Sequence, residues 1–108
     1  MLDDEKINKL TTIKKAFSEE CLYEQLAEEC SELARAALKL SRHLRGENQP
    51  RETWAESYAN FREEITDVKL TLDVIGQGPD MAVYSAKLNR FHNGALEKRR
   101  NNHDSKRT

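Results

Sequence analysis

Glu29, Glu32, Glu64 and Asp67 are the residues of this chain best placed to do chemistry together. Glu29 and Asp67 stand nineteen residues before and after residue 48, and Glu32 and Glu64 stand sixteen residues to either side of it. Two helices folded back on each other about that point rise equally per residue, so each acid on one comes level with an acid on the other. Four carboxylates brought into one small volume repel and raise one another's pKa values unless something cationic sits between them. The arrangement therefore points to a divalent metal site, for which magnesium, a hard cation that prefers oxygen ligands, is the natural occupant.

The elements that must position these acids are two helices and a turn. In Gly46-Glu47-Asn48-Gln49-Pro50, Gly46 suits the left-handed residue that closes a helix, and Pro50 suits a new helix start. Upstream, Leu22, Leu26, Leu33, Ala37, Leu40 and Leu44 recur at helical spacing; downstream, Trp54, Tyr58, Phe61, Ile65, Val68, Leu72 and Ile75 do the same. Glu29 falls three residues after Leu26, within the upstream stripe. A carboxylate on a seam of that kind is costly without a partner. The alternative is that Glu29 sits at the edge of the stripe and reaches solvent, pairing with Arg62 or Lys69 from the facing helix.

Four helices and no strands are expected. Asp3 or Asp4 opens the first, which carries Ile7, Leu10, Ile13 and Phe17 on one face. Ser18 caps the second, which continues to about Arg45. The third runs from about Arg51 to Ile75, where Gly76-Gln77-Gly78-Pro79 ends it. The fourth starts near Pro79 or Asp80 and bears Met81, Tyr84, Leu88 and Phe91, with Gly94 a weak point beyond them. The fold class is all-α: a four-helix bundle with a long central antiparallel helical hairpin, completed by oligomerisation. The last expectation follows from a lean composition, 37% hydrophobic over 108 residues with a mean hydropathy of -0.87, because small helical chains often finish their core against a copy of themselves.

Charge divides the chain. Residues 97–108 hold five basic and two acidic residues, leaving 13 basic and 17 acidic in residues 1–96. The expected organisation is a helical domain over 1–96 and a basic, disordered tail over 97–108. An acidic body argues against a nucleic-acid polymer as partner. Cys21 and Cys30, nine apart on one helix, are too far apart to bridge each other and make no zinc pattern. His43, His92 and His103 read as surface residues. The first fifteen residues lack the apolar run of a secretory signal, and no stretch approaches the ~20 apolar residues of a membrane span. A soluble cytoplasmic protein is expected.

On the fourth helix Lys87 and Arg90 are three apart and share a face. Taken alone they are ordinary solvated side chains. Beside an oxygen-lined metal site they complete the usual equipment for hydrolysis of phosphate esters or phosphoanhydrides.

Glu28-Glu29-Cys30-Ser31-Glu32 followed by Glu64-Ile65-Thr66-Asp67 resembles the EExxE and ExxD signature of the MazG-like, all-α nucleoside triphosphate pyrophosphohydrolases, and the similarity extends over about residues 17 to 95. The resemblance implies hydrolysis between the α and β phosphorus atoms of a (deoxy)nucleoside triphosphate, giving a monophosphate and pyrophosphate, in the service of nucleotide-pool sanitising. It implies that Glu29, Glu32, Glu64 and Asp67 hold magnesium, which manganese can replace, and that Glu28 assists from the outer shell or by accepting a proton. Lys87 and Arg90 match basic positions on the last helix that face the triphosphate. The family also implies a homodimer or homotetramer. Trp54, the only tryptophan, could stack on a nucleobase or anchor a core or dimer interface, and Asn89 and Tyr58 are further candidates for base contact.

Two other classes compete. A di-iron carboxylate bundle wants an ExxH motif on two helices, but the residue three after Glu29 is Glu32, and three after Glu64 comes Asp67. A non-enzymatic helical adaptor or interaction module would carry the acids as a solvated face and use Trp54 at a protein interface.

Overall fold

The computed structural model describes residues 3–46 and 50–107, and these are all-helical: α1 (Asp4–Ala16), α2 (Glu19–Arg45), α3 (Trp54–Ile75) and α4 (Met81–Arg107), with no strand among the described residues. Each start has a local cause. The Asp3 carboxylate accepts from the Lys6 amide at 2.7 Å to open α1, and the Ser18 hydroxyl accepts from the Cys21 amide at 3.2 Å to open α2. α3 begins three residues later than Pro50 and Arg51 suggest. Thr53 and Glu56 form a reciprocal capping box there, which satisfies two amides at once and outweighs the proline signal.

Helix ends follow the glycines. Gly46 (φ 73°) and Gly76 (φ 84°) both adopt the left-handed conformation and return their amides to Arg42 and Leu72. Residues 47–49, the centre of the expected turn, lie outside the described residues. At the far end of α3, the Lys14 ammonium on α1 donates to the Ile75 carbonyl at 3.2 Å, placing a cation where the helix dipole favours one.

The chain forms two compact units, Met1–Gln77 and Gly78–Thr108. The division falls in the Gly76–Pro79 segment, and residue 97 lies inside α4. In the second unit the Asp80 carboxylate accepts from the amides of Ala82 (3.0 Å) and Val83 (3.1 Å) and so opens α4. The helix then passes through Gly94 and continues to Arg107, across the start of the expected tail. Ala95, Leu96, Glu97, Lys98, Arg99 and Arg100 are all strong helix formers.

In the first unit α2 and α3 pack as an antiparallel hairpin. Leu22 near the start of α2 meets Val74 and Ile75 at the end of α3, with Leu10 of α1 and Leu26 packed against them; His43 near the end of α2 meets Ser57 near the start of α3. Burying each of the three central side chains contributes about 1.5–3 kcal/mol. Along α2 the buried and half-buried residues include Leu22, Leu26, Glu29, Leu33, Ala36, Leu40 and His43, spaced alternately four and three, with Lys39 and Ser41 half-buried beside them. This is the pattern of a helix seam packed against a partner.

Two details of the expected stripes change. Ala36, 2% exposed, takes the seam position expected of Ala37, and Leu44 is 77% exposed. The larger change is in α3. Its side chains along one line are Ser57, Asn60, Glu64, Asp67, Thr71 and Val74, each half-buried or buried; of the apolar stripe Phe61, Val68, Leu72 and Ile75 are half-buried or buried as expected, while Trp54, Tyr58 and Ile65 are each 44% exposed. The helix therefore turns a mainly polar line toward α2. Ala36 and Ser57, both small and almost fully buried, let the two helices approach closely.

Candidate metal centre

The polar line of α3 meets the one acidic break in the apolar line of α2. Glu29, Glu32, Glu64 and Asp67 each offer a carboxylate oxygen, and these four oxygens lie within 4.8 Å of one another. Glu29, Glu64 and Asp67 are half-buried and Glu32 is exposed at the rim. The mirror spacing in the sequence thus becomes an actual convergence.

Hydrogen bonding accounts for only part of the cluster. The Gln25 side-chain amide, one turn before Glu29, donates to Glu29 Oε1 at 2.6 Å. Neither Arg62 nor Lys69 pairs with Glu29: Lys69 forms an ion pair with Asp73. The remaining oxygens Glu29 Oε2 and Glu64 Oε2 are shut off from solvent with no hydrogen-bond partner. Burial, first, and then the charge and contact of Glu32, with lesser contributions from Asp67 and Glu29, push the Glu64 carboxyl above its ordinary value of 4.5. A solvated acidic face would show neither feature, because water would satisfy the oxygens and screen the charges.

The donor set fits a hard divalent ion. All four donors are carboxylate oxygens, with no histidine or thiol among them, which suits magnesium, manganese or calcium and not the softer metals. Oxygens on opposite sides of a magnesium ion are about 4 Å apart and those around calcium about 5 Å, from bond lengths of about 2.0–2.1 and 2.3–2.6 Å. The 4.8 Å spread is of that size. Two orphaned oxygens on residues of the group are what such an ion would satisfy.

The other residues singled out by the sequence are not among these four. Glu28 is exposed and stands outside the cluster. Lys87, Asn89 and Arg90 lie on α4, in the second unit. Trp54 begins α3 and stacks on Tyr58 with ring centroids 6.2 Å apart, Tyr58 in turn lying 6.5 Å from Phe61. His43 is corrected from a surface residue to a half-buried one: its Nε2 is 3.0 Å from the Ser57 hydroxyl and its ring meets Trp54 edge-on at 5.9 Å, because it occupies the last seam position of α2. His92 is exposed, whereas the side chain of His103 lies outside the described residues. Cys21 and Cys30 are exposed and unbridged.

Sequence reasoning missed two surroundings of the cluster. Toward the hairpin tip, Glu32 and Glu64 share a cavity of about 330 Å³ with Arg35, Lys39 and Asn60. Lys39 also pairs with Glu52 at 3.3 Å, which, after a backbone hydrogen bond, helps hold the Glu52 carboxyl below its ordinary range. Toward α1, Gln25 lies at the edge of an apolar cavity of about 230 Å³ whose walls include Phe17, Leu22, Leu70 and Val74. Arg35 and Lys39 could have been found from their spacing, three and seven residues after Glu32 on the same helix.

Among the described residues no helix is long and apolar enough to cross a membrane. No protein-family model, curated protein or solved structure gives a significant match to this chain.

Proposed function

We propose that this chain is a metal-dependent nucleoside triphosphate pyrophosphohydrolase of MazG-like type, converting a (deoxy)nucleoside triphosphate and water to the monophosphate and pyrophosphate. The observation that carries the reading is the set of four convergent carboxylates with two buried, unpartnered oxygens. Glu29, Glu32, Glu64 and Asp67 hold the ion in this reading, and the Gln25 amide fixes the orientation of Glu29. When bound, magnesium or manganese supplies Lewis acidity and charge neutralisation at the phosphoanhydride. Leu26 and Leu33, half-buried on either side of Glu29 along α2, keep water from the floor of the site and so strengthen every electrostatic interaction within it. Glu28, exposed and outside the cluster, assists from the outer shell in this reading.

The bundle and its oligomerisation belong to the same proposal. Trp54, Tyr58 and Ile65, each 44% exposed along one face of α3, form an apolar surface suited to a second copy of the chain. The competing reading, a helical adaptor, leaves the two sealed carboxylate oxygens without a role.

A pyrophosphate-release screen over standard and modified nucleoside triphosphates, with magnesium or manganese, tests the chemistry and ranks substrates together. The wild type should release pyrophosphate and monophosphate in equal amounts. Glu32→Gln, at the exposed rim, should lose that release with its helical content intact, since it removes a ligand charge and no core volume. Undiminished release in this variant, or none from the wild type on any substrate, refutes the assignment.

A further inference from the structure

We infer that the cavity bounded by Arg35, Lys39 and Asn60 is the subsite for the pyrophosphate end of the substrate, so that a nucleoside triphosphate lies along the hairpin with its phosphate chain pointing to the tip. The inference rests on the metal-hydrolase reading and adds to it the direction of the substrate and the residues that receive the leaving group.

The order of side chains along the two helices carries it. From the α1 end, α2 presents Gln25, Glu29, Glu32, Arg35 and Lys39, while α3 presents, in the same spatial direction, Thr71, Asp67, Glu64 and Asn60. The four acids therefore separate two cavities of opposite character. On the tip side Glu32 and Glu64 themselves form part of the wall of the 330 Å³ cavity, whose other polar residues are two cations and an amide. On the α1 side the 230 Å³ cavity is mostly apolar, and no basic side chain lines it. Of these two cavities, only the one on the tip side offers positive charge to a phosphate chain leaving the acid cluster.

Distances along the helix agree. At 1.5 Å per residue, Arg35 stands roughly 5 Å and Lys39 roughly 11 Å beyond Glu32 along the axis, a run suited to successive phosphates. Arg35 is exposed and has no ion-pair or hydrogen-bond partner among the described residues, which leaves its planar fork of donors free for phosphate oxygens. Lys39 is paired with Glu52, itself 45% exposed. The Lys39 side chain is 24% exposed, so the pair is partly open to solvent, and a polyphosphate offers Lys39 more charge than the single carboxylate it displaces. Asn60, half-buried on α3, supplies an amide donor from the opposite wall.

The step balances without a further reactant: water adds to the α phosphorus and releases a proton to solvent, the bond from that phosphorus to the α–β bridging oxygen breaks, and pyrophosphate leaves with the bridging oxygen and the electron pair, where Arg35 and Lys39 offset its charge.

Inorganic pyrophosphate titrated into the full chain with magnesium, followed by calorimetry, tests the subsite directly. The wild type should bind it, and Arg35→Gln and Lys39→Gln should each weaken binding at least tenfold, with Arg35→Lys in between. Stabilisation by magnesium alone should be unchanged in all three variants, as should binding of a nucleoside monophosphate. Should Arg35→Gln and Lys39→Gln bind pyrophosphate like the wild type while magnesium still stabilises them, the subsite is wrong and the metal centre stands. Failure of magnesium to stabilise the wild type at all removes the metal centre and this inference with it.

Discussion

Replacing Glu64 by glutamine should produce a crossover: a protein more stable than the wild type in chelator and less stable in magnesium. Glutamine keeps the shape of the side chain and deletes one negative charge from a group in which burial and the facing acids Glu32, Asp67 and Glu29 already disfavour ionisation. In chelator that deletion relieves repulsion. In magnesium it removes a ligand. A ligand that binds only the folded form stabilises it by RT ln(1 + [L]/Kd), so each tenfold rise in free magnesium above the dissociation constant adds about 1.4 kcal/mol per bound ion. At about 4–8 °C per kcal/mol for a domain near this size, the melting temperature should climb roughly 6–11 °C per decade for one ion and twice that for two. The slope does not depend on the affinity, so it also counts the ions. Thermal melts by circular dichroism over a magnesium series at constant ionic strength measure it. A wild-type melting temperature that ignores magnesium, or a Glu64→Gln melting temperature that begins to rise at the same magnesium concentration as the wild type's, would refute the reasoning.

Two further outcomes follow from the same geometry. Because the folded form holds the Glu64 proton above pH 4.5, where the unfolded chain has released it, the stability this group contributes is complete below 4.5 and is lost as pH rises through its raised folded value. In chelator, the melting temperature of Glu64→Gln should therefore pull ahead of the wild type's as pH is raised above 4.5, and magnesium should reverse the difference; a gap that is constant with pH would contradict this. Leu22→Ala, at a core position 7% exposed, should lower stability by about 2–5 kcal/mol in a urea melt while preserving the magnesium slope, since it lies two helical turns from Glu29.

The acid cluster was legible in the sequence because both helices keep a constant rise and the mirror spacing fixes which residues come level. Residues 47–49 did not have to be read in detail for that. The orientation of α3 was harder to see. Hydrophobic periodicity assigns the stripe from Trp54 to Ile75 to the interior; Phe61, Val68, Leu72 and Ile75 are half-buried or buried, but Trp54, Tyr58 and Ile65 are each 44% exposed, and the polar Ser57, Asn60, Glu64 and Asp67 share the buried side. Periodicity identifies the apolar face of a helix without saying which partner covers it. The same ambiguity hid His43, which reads as polar and therefore external until the alternating spacing from Leu22 onward places it on the seam. Arg35 and Lys39 were passed over because a basic residue on an exposed helix face is ordinarily just solvated, and only the cavity they share with Glu32 and Glu64 distinguishes them. Local signals decided the helix boundaries: Thr53 with Glu56 set the start of α3, and the propensity of Ala95 to Arg100 carried α4 beyond the point where composition turns basic.

Crystals of the full chain grown with manganese, measured at a wavelength where manganese scatters anomalously, test the central claim most directly. The account predicts a peak within about 2.0–2.4 Å of carboxylate oxygens from Glu29, Glu32, Glu64 and Asp67, with Glu29 Oε2 and Glu64 Oε2 among its ligands. Crystals in which those four side chains turn into bulk solvent, with no anomalous peak among them, would contradict it.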